Sequence, residues 1–208
     1  MQVTLDDVAL GFGPRVVISG LSAKVEPLKV TALVGPSGSG KSSLLAAIAG
    51  YMRLRHGAVR FKQDEFSEET HPNPDQVVWI PQGSNSLPAR SAIENIMIGA
   101  LANGTRSADA RSIAAELLLK VGLDGKGELR ARQLSGGELQ RLNFARALAS
   151  GKPLVLADEP TSSLDLSNIR IVAGLLRELS GGATIVVATH DEVIVEAADA
   201  VIDLRAFA

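Results

Sequence analysis

VTALVGPSGSGKSSLLAAI, residues 30–48, decides the fold. The apolar run Val30–Val34 leads straight into Gly35, Pro36, Ser37, Gly38, Ser39, Gly40, Lys41 and Ser42, after which Leu44, Leu45 and Ile48 share one helical face. Strand, glycine-rich loop and helix are the context in which G-x-x-x-x-G-K-[ST] cradles phosphate. Glycines let the backbone wrap an anion, and the N–H groups at the start of the helix point at it. Lys41 is expected to reach the β- and γ-phosphates of a nucleotide, Ser42 to ligate Mg²⁺ and Ser43 to touch the α-phosphate. The motif by itself specifies a nucleotide phosphate and no particular chemistry.

Further apolar runs extend the pattern outward. Leu154–Ala157 and Ile185–Ala188 are expected to be buried parallel strands beside Val30–Val34, joined by Val77–Ile80 and Val201–Leu204. Ahead of the loop, Val3–Leu10, Val16–Ile18, Ala23–Val25 and Ala58–Phe61 are short, partly alternating segments, expected to be antiparallel strands on one side of the core. Three sets of apolar residues have helical spacing. They are Ile113, Leu117 and Val121, preceded by Ser107 as expected N-cap and Asp109 in the first turn; Leu139, Leu142, Ala145 and Leu148; and Ile169, Val172, Leu176 and Leu179. No strand-like run lies between Gln82 and Lys152. The expected architecture is therefore α/β: a mainly parallel sheet core formed by 1–82 and 152–208, which includes an N-terminal antiparallel β subdomain, with a helical subdomain, 83–151, inserted in it. The acidic, proline-containing stretch 62–76 reads as an exposed loop.

Composition excludes several classes. Across 208 residues, 46% hydrophobic and 21% charged content is ordinary for a globular chain. A net charge of −2 without a basic block argues against phosphate-backbone binding to nucleic acid. The absence of cysteine removes disulfides, thiol catalysis and thiolate metal sites. The apolar runs are far shorter than the ~18 residues of a membrane span. The opening MQVTLDDVALGFG has two aspartates and no basic stretch, unlike a signal peptide, so a cytoplasmic location is expected.

Other residues bear on the phosphate site. Leu154–Ala157 ends in Asp158 and Glu159, a strand that would deliver Asp158 to the metal and Glu159 to a water as proton acceptor. Alone, the pair also fits a solvated acidic turn before Pro160. His190 ends the neighbouring run and should leave the same sheet edge, whereas His56 and His71 lie near turn residues and read as surface groups. Gln82, after Val77–Ile80, is placed to contact the metal or the water. Ser135, Gly136, Gly137 and Glu138 open a helix, where the serine hydroxyl, the Gly137 N–H and the helix dipole form an anion site. The same residues fit a capping box, and both can hold together.

Taken in order, GPSGSGKS, Gln82, LSGGE, LVLADE, Ser163-Leu164-Asp165 and His190 resemble the ATP-binding-cassette (ABC) ATPase family, over nearly the whole chain. The resemblance implies a P-loop NTPase fold with a RecA-like core and Mg²⁺-dependent ATP hydrolysis. It further implies a head-to-tail dimer, with each ATP between the P-loop of one subunit and the Ser135–Glu138 turn of the other. Asp165 would belong to the loop communicating between the two sites. Phe12 occupies the position of the adenine-stacking aromatic, with a partly buried turn residue as the alternative. Separate integral membrane subunits are implied, docking near Ser86–Ile98 and holding the cassette at the inner face of the cell membrane. ALADEPTSSLD and VVATHDEVIVEAADAVIDL look most like free-standing bacterial cassettes, those of lipoprotein-release and macrolide-efflux type among them. The alternative within the family is a soluble cassette without transport, such as an iron–sulfur-assembly ATPase.

Overall fold

The computed structural model describes residues 1–83 and 85–207. Among them, five strands form a parallel sheet in the order β5-β6-β7-β3-β8, where β3 is Val30–Val34, β5 Val77–Ile80, β6 Leu154–Asp158, β7 Thr184–Ala188 and β8 Ala200–Asp203. Every residue of β6 and β7 is buried. Covered on both faces, such strands can be continuously apolar, which is why they stand out as unbroken runs. Alternate residues still serve different cores. Leu154, Leu156, Val186 and Ala188 pack with helix α1 (Lys41–Ile48) and the antiparallel sheet, while Val155, Ala157, Ile185 and Val187 face the other helices.

The second sheet is antiparallel, in the order β2-β1-β4, from β1 (Gln2–Phe12), β2 (Arg15–Val25) and β4 (His56–Lys62). Its register turns on two aspartates. Val3, Leu5, Val8 and Leu10 are all buried, yet Leu5 and Val8 are three apart, so strict alternation would turn Val8 and Leu10 outward. A bulge at Asp6–Asp7 absorbs the odd residue, with Asp7 at φ 47° and its N–H donating to Ser22 Oγ at 3.0 Å. Val16–Ile18 and Ala23–Val25, expected as two segments, form one strand. Gly20, at φ 72°, reads as a terminator in sequence but bends the strand within the ladder.

Between β5 and β6 lie α2 (Ala92–Ala102), α3 (Ser107–Lys120) and α4 (Gly136–Ala149), packed on one another around fully buried Phe144. Gly99 allows α2 to close on α4, since a Cβ there would stand 2.3 Å from the Arg146 carbonyl oxygen. The Ser107 cap is corrected. Arg106 holds the N-cap position with extended backbone, Ser107 is already helical, and Asp109 accepts from Arg106 Nε at 2.8 Å. Arg106 thereby takes the place at the helix start that a capping hydroxyl would fill. Helices α5 (Leu166–Ser180) and α6 (Glu192–Ala197) complete the core, and β8 ends at Asp203, with Leu204 opening a 3₁₀ turn. No helix among the described residues is long and apolar enough to cross a membrane.

Candidate functional site

The phosphate loop is built by close approach. A Cβ on Gly35 would meet Ser39 Oγ at 2.6 Å, and one on Gly40, at φ 93°, would meet Val17 Cγ1 at 2.8 Å. Ser39 N–H donates to Pro36 O at 3.1 Å, closing the loop, while the buried Ser39 hydroxyl has no partner among the described residues. Helix α1 begins at Lys41 with no side-chain cap and no acidic residue in its first turn. Its leading N–H groups are left for an anion, and the dipole adds to their pull.

Lys41 is buried and fully engaged. Its Nζ donates to Gly35 O at 2.9 Å and Pro36 O at 3.4 Å and lies 3.3 Å from Glu159 Oε1. Glu159 Oε2 is 2.8 Å from His190 Nδ1, so one carboxylate joins the loop lysine to the histidine from β7's end. The Glu159 backbone is held at φ 45°, with its N–H donating to Ala188 O at 2.9 Å. A non-glycine residue in that region is strained, and here the strain aims the side chain across the sheet edge. A cavity of about 450 Å³ results, lined by Gly35–Gly38, Lys41 and Ser42 on one side and by Gln82, Glu159 and His190 on the other.

Asp158 lies beneath it, 7% exposed. Burial pushes its carboxyl above the usual carboxylate range, opposed by the Ser42 hydroxyl, which donates to it, and by Lys41, while the Glu159 charge adds to the rise. Its Oδ1 has no hydrogen-bond partner among the described residues. A buried, unpartnered carboxylate oxygen next to a hydroxyl suits a hard divalent cation. No cluster of three or more His, Asp or Glu among the described residues could hold a metal, so a cation here would need phosphate oxygens or water to complete its shell.

This environment predicts a trade-off. A carboxyl whose folded pKa is raised costs stability when ionised, fully above the folded value, and the cost vanishes as pH falls to the unfolded range. Asp158→Asn is therefore expected to raise Tm by roughly 2–4 °C at pH 8, with the gain fading as pH falls towards 4, while removing the acidic group beside Ser42. Thermal melts across that pH range check it; a lowered Tm at pH 8 would contradict it.

Several expected site residues lie elsewhere. Phe12 is 61% exposed at the end of β1 and does not line the cavity, and Ser43 in α1 does not line it either. Ser135, Gly136, Gly137, Glu138 and Asp165 are also outside it; Gly136 instead borders a separate cleft of about 390 Å³, which Gln82 also reaches. Ser135 caps α4 in a full capping box: its Oγ accepts from Glu138 N–H at 3.4 Å, and its own N–H donates to Glu138 Oε2 at 2.8 Å. Glu138 also pairs with Lys126, which with the Ser135 N–H holds its carboxyl below the usual range. Asp165 caps α5, accepting from Ser167 Oγ at 2.7 Å and Asn168 N–H at 2.9 Å, bonds that lower its carboxyl likewise.

Helix α4 carries two arginines whose roles the sequence pattern does not signal. Arg146 grips Asn85, three residues beyond Gln82, through both Nη atoms, with a 2.9 Å bond to its backbone oxygen. Arg141 reaches Asn168 on α5. Ser91-x-x-Glu94, by contrast, carried a readable signal, and forms a capping box that starts α2.

The sequence profile of the ABC transporter family matches residues 18–162. An uncharacterized ABC transporter ATP-binding protein of Mycobacterium tuberculosis is 37% identical over 193 residues, covering 90% of this chain and 58% of that protein. The pyoverdine export ATP-binding/permease protein PvdT of Pseudomonas putida is 36% identical over 217 residues, covering 98% of this chain and 33% of its own. The chain thus spans little more than half the length of the first of these curated relatives and a third of the second. A dimeric ATP-binding cassette in a post-hydrolysis state, bound to ADP and Pi, superposes with a TM-score of 0.80 at 27% identity, over 97% of this chain and 93% of that one. The chain belongs to the ABC transporter family, and its fold is that of an ATP-binding cassette.

Proposed function

We propose that the chain binds MgATP in the cavity above Lys41 and hydrolyses it at a site completed by a second copy, so driving the membrane part of a transporter. The observation that carries this reading is the convergence of Lys41, Ser42, Gln82, Asp158, Glu159 and His190 on one phosphate loop at the carboxyl edge of a parallel sheet. Helix α1 and residues 35–43 would hold the phosphates, and Phe12 would offer an exposed face to the base. Ser42 and Asp158, with Gln82, would hold Mg²⁺, which when bound neutralises charge on the β- and γ-phosphate oxygens.

Lys41 now faces Glu159; a γ-phosphate would draw its ammonium away and free Oε1 for a water. Glu159 then takes the proton of the water as the oxygen attacks phosphorus in line and the bond to the β-phosphate oxygen breaks. His190, through its contact with Glu159, fixes the direction of that carboxylate and stands beside the charge that develops. Ser135, Gly136, Gly137 and Glu138 lie outside this chain's own cavity, which supports assigning them to the nucleotide of a second copy, with Asp165 alongside. The dimeric form of the ADP-bound cassette supports the same reading.

Residues 83–151 would act as a helical subdomain that carries the membrane contact. A groove of about 290 Å³ there is lined by Leu87, Arg90, Glu94, Met97, Ile98 and Leu101, of which Leu87, Ile98 and Leu101 are exposed. Buried Asn95 fixes the segment before it: its Oδ1 accepts from Leu87 N–H at 2.7 Å, and its Nδ2 donates to Ser91 O at 2.9 Å. Relatives named for pyoverdine and macrolide export, each an ATP-binding/permease protein, support a transporter as the machine that this cassette drives. The cassette would then sit at the cytoplasmic face of the membrane. Purification of the Glu159→Gln chain with ATP from detergent-solubilised membranes tests this. A multi-span protein is the expected companion; soluble scaffold proteins alone would overturn the transport reading in favour of an iron–sulfur-assembly type.

A further inference from the structure

Asn168, in the first turn of α5, has both ends of its side-chain amide engaged. Its Oδ1 accepts from Arg141 Nη1 of α4 at 2.7 Å, and its Nδ2 donates to both carboxylate oxygens of Asp165 at 3.1 Å. A guanidinium can only donate and a carboxylate can only accept, so the amide fits in one orientation. The same amide lies against Gly137. A Cβ on Gly137 would stand 2.5 Å from Asn168 Oδ1 and 2.6 Å from its Cγ. Gly137 has no positive φ, so glycine is needed here for the approach of Asn168 rather than for its backbone. Arg141 and Gly137 belong to the helix that Ser135 caps; Asp165 caps the helix that carries Asn168.

We infer that Asn168 is a positioning residue that locks the Ser135–Glu138 turn and the Asp165 segment into one unit, so that both meet the second copy in fixed relation. The inference rests on the shared-site reading for its consequence, but the lock itself belongs to the single chain. Neither end alone would do this. An amide bonded only to Asp165 would be a local cap, and one bonded only to Arg141 would join two helices without reaching the turn. With both, a displacement of Gly137 pushes on the Asp165 carboxylate.

Two measurements on the full chain test it. Without nucleotide, Gly137→Ala is expected to speed amide exchange at residues 165–170 by about tenfold, and in the Asn168→Ala background to act only at 135–140. In steady state, Asn168→Ala is expected to lower kcat about fivefold or more, with ATP affinity of the isolated chain held within about twofold. Asn168→Asp should lose at least as much, because its second oxygen would face Asp165. Unchanged exchange at 165–170 in Gly137→Ala, or an equal effect in both backgrounds, would overturn the inference. So would a kcat within twofold of wild type for Asn168→Ala. If the variants show the exchange coupling but the wild-type chain hydrolyses no ATP, the proposed function falls and the lock stands.

Discussion

Glu159→Gln is expected to cut ATP turnover by about 10²-fold or more, a typical scale for losing a positioned base, while ATP still binds. The amide keeps the length and shape of the side chain, so the strained backbone at φ 45° and the bond to Ala188 have no reason to move. What goes is the charge between Lys41 Nζ and His190 Nδ1, and with it the acceptor for a proton of water. Lys41, released from its carboxylate, is more available to phosphate, so affinity should hold or rise. ATP-loaded chains should then accumulate as dimers. Phosphate release and size-exclusion chromatography with MgATP check both halves. Near-normal turnover would remove Glu159 from the role of base.

Lys41→Ala acts at the other end of that ion pair and should fail differently. Its ammonium is the one cation the loop brings against the cavity, positioned by Gly35 O and Pro36 O. A charge-assisted bond of this kind contributes about 1.5–3 kcal/mol, so ATP affinity should fall roughly 10–150-fold. Truncation also removes the positive charge felt by both Glu159 and Asp158, so an entering phosphate meets two carboxylates that Lys41 no longer offsets. Calorimetric titration with ATP measures the loss. An unchanged affinity would mean that the loop does not cradle phosphate.

Much of this arrangement is legible in the residues because each part answers to a local physical demand. β3, β6 and β7 are covered on both faces, so apolar residues dominate them, and their ends mark the sheet edge where Gly35, Asp158 and His190 emerge. The Ser135–Glu138 capping box is likewise local, complete within four residues. The bulge at Asp6–Asp7 was readable in principle from the spacing of Leu5 and Val8, yet whether a strand breaks or bulges there depends on Ser22 and Gly57, which approach from two other strands. Gly20 misleads for the same reason: its positive φ serves a turn or a bent strand equally, and only pairing with β1 decides. Arg106 takes the cap position from Ser107 because the bend falls one residue earlier, which no propensity fixes. Asn168 is the extreme case. Its partners Arg141 and Gly137 lie more than twenty residues away on another helix, and an asparagine three residues after an aspartate is ordinary in a helix start.

In the proposed dimer one ATP is served by the phosphate loop of one copy and the Ser135 turn of another, and mixing two inactive variants tests this sharing directly. Lys41→Ala spoils the loop, and Ser135→Arg spoils the turn; each alone should give little hydrolysis, because every site in its homodimer is damaged. In a mixed dimer, one site combines both damaged halves and the other both intact ones. With random pairing around a two-fold axis, an equimolar mixture should regain about a quarter of wild-type activity. Activity that stays at the sum of the two variants, with both chains folded and ATP-driven dimers present, would contradict the shared site.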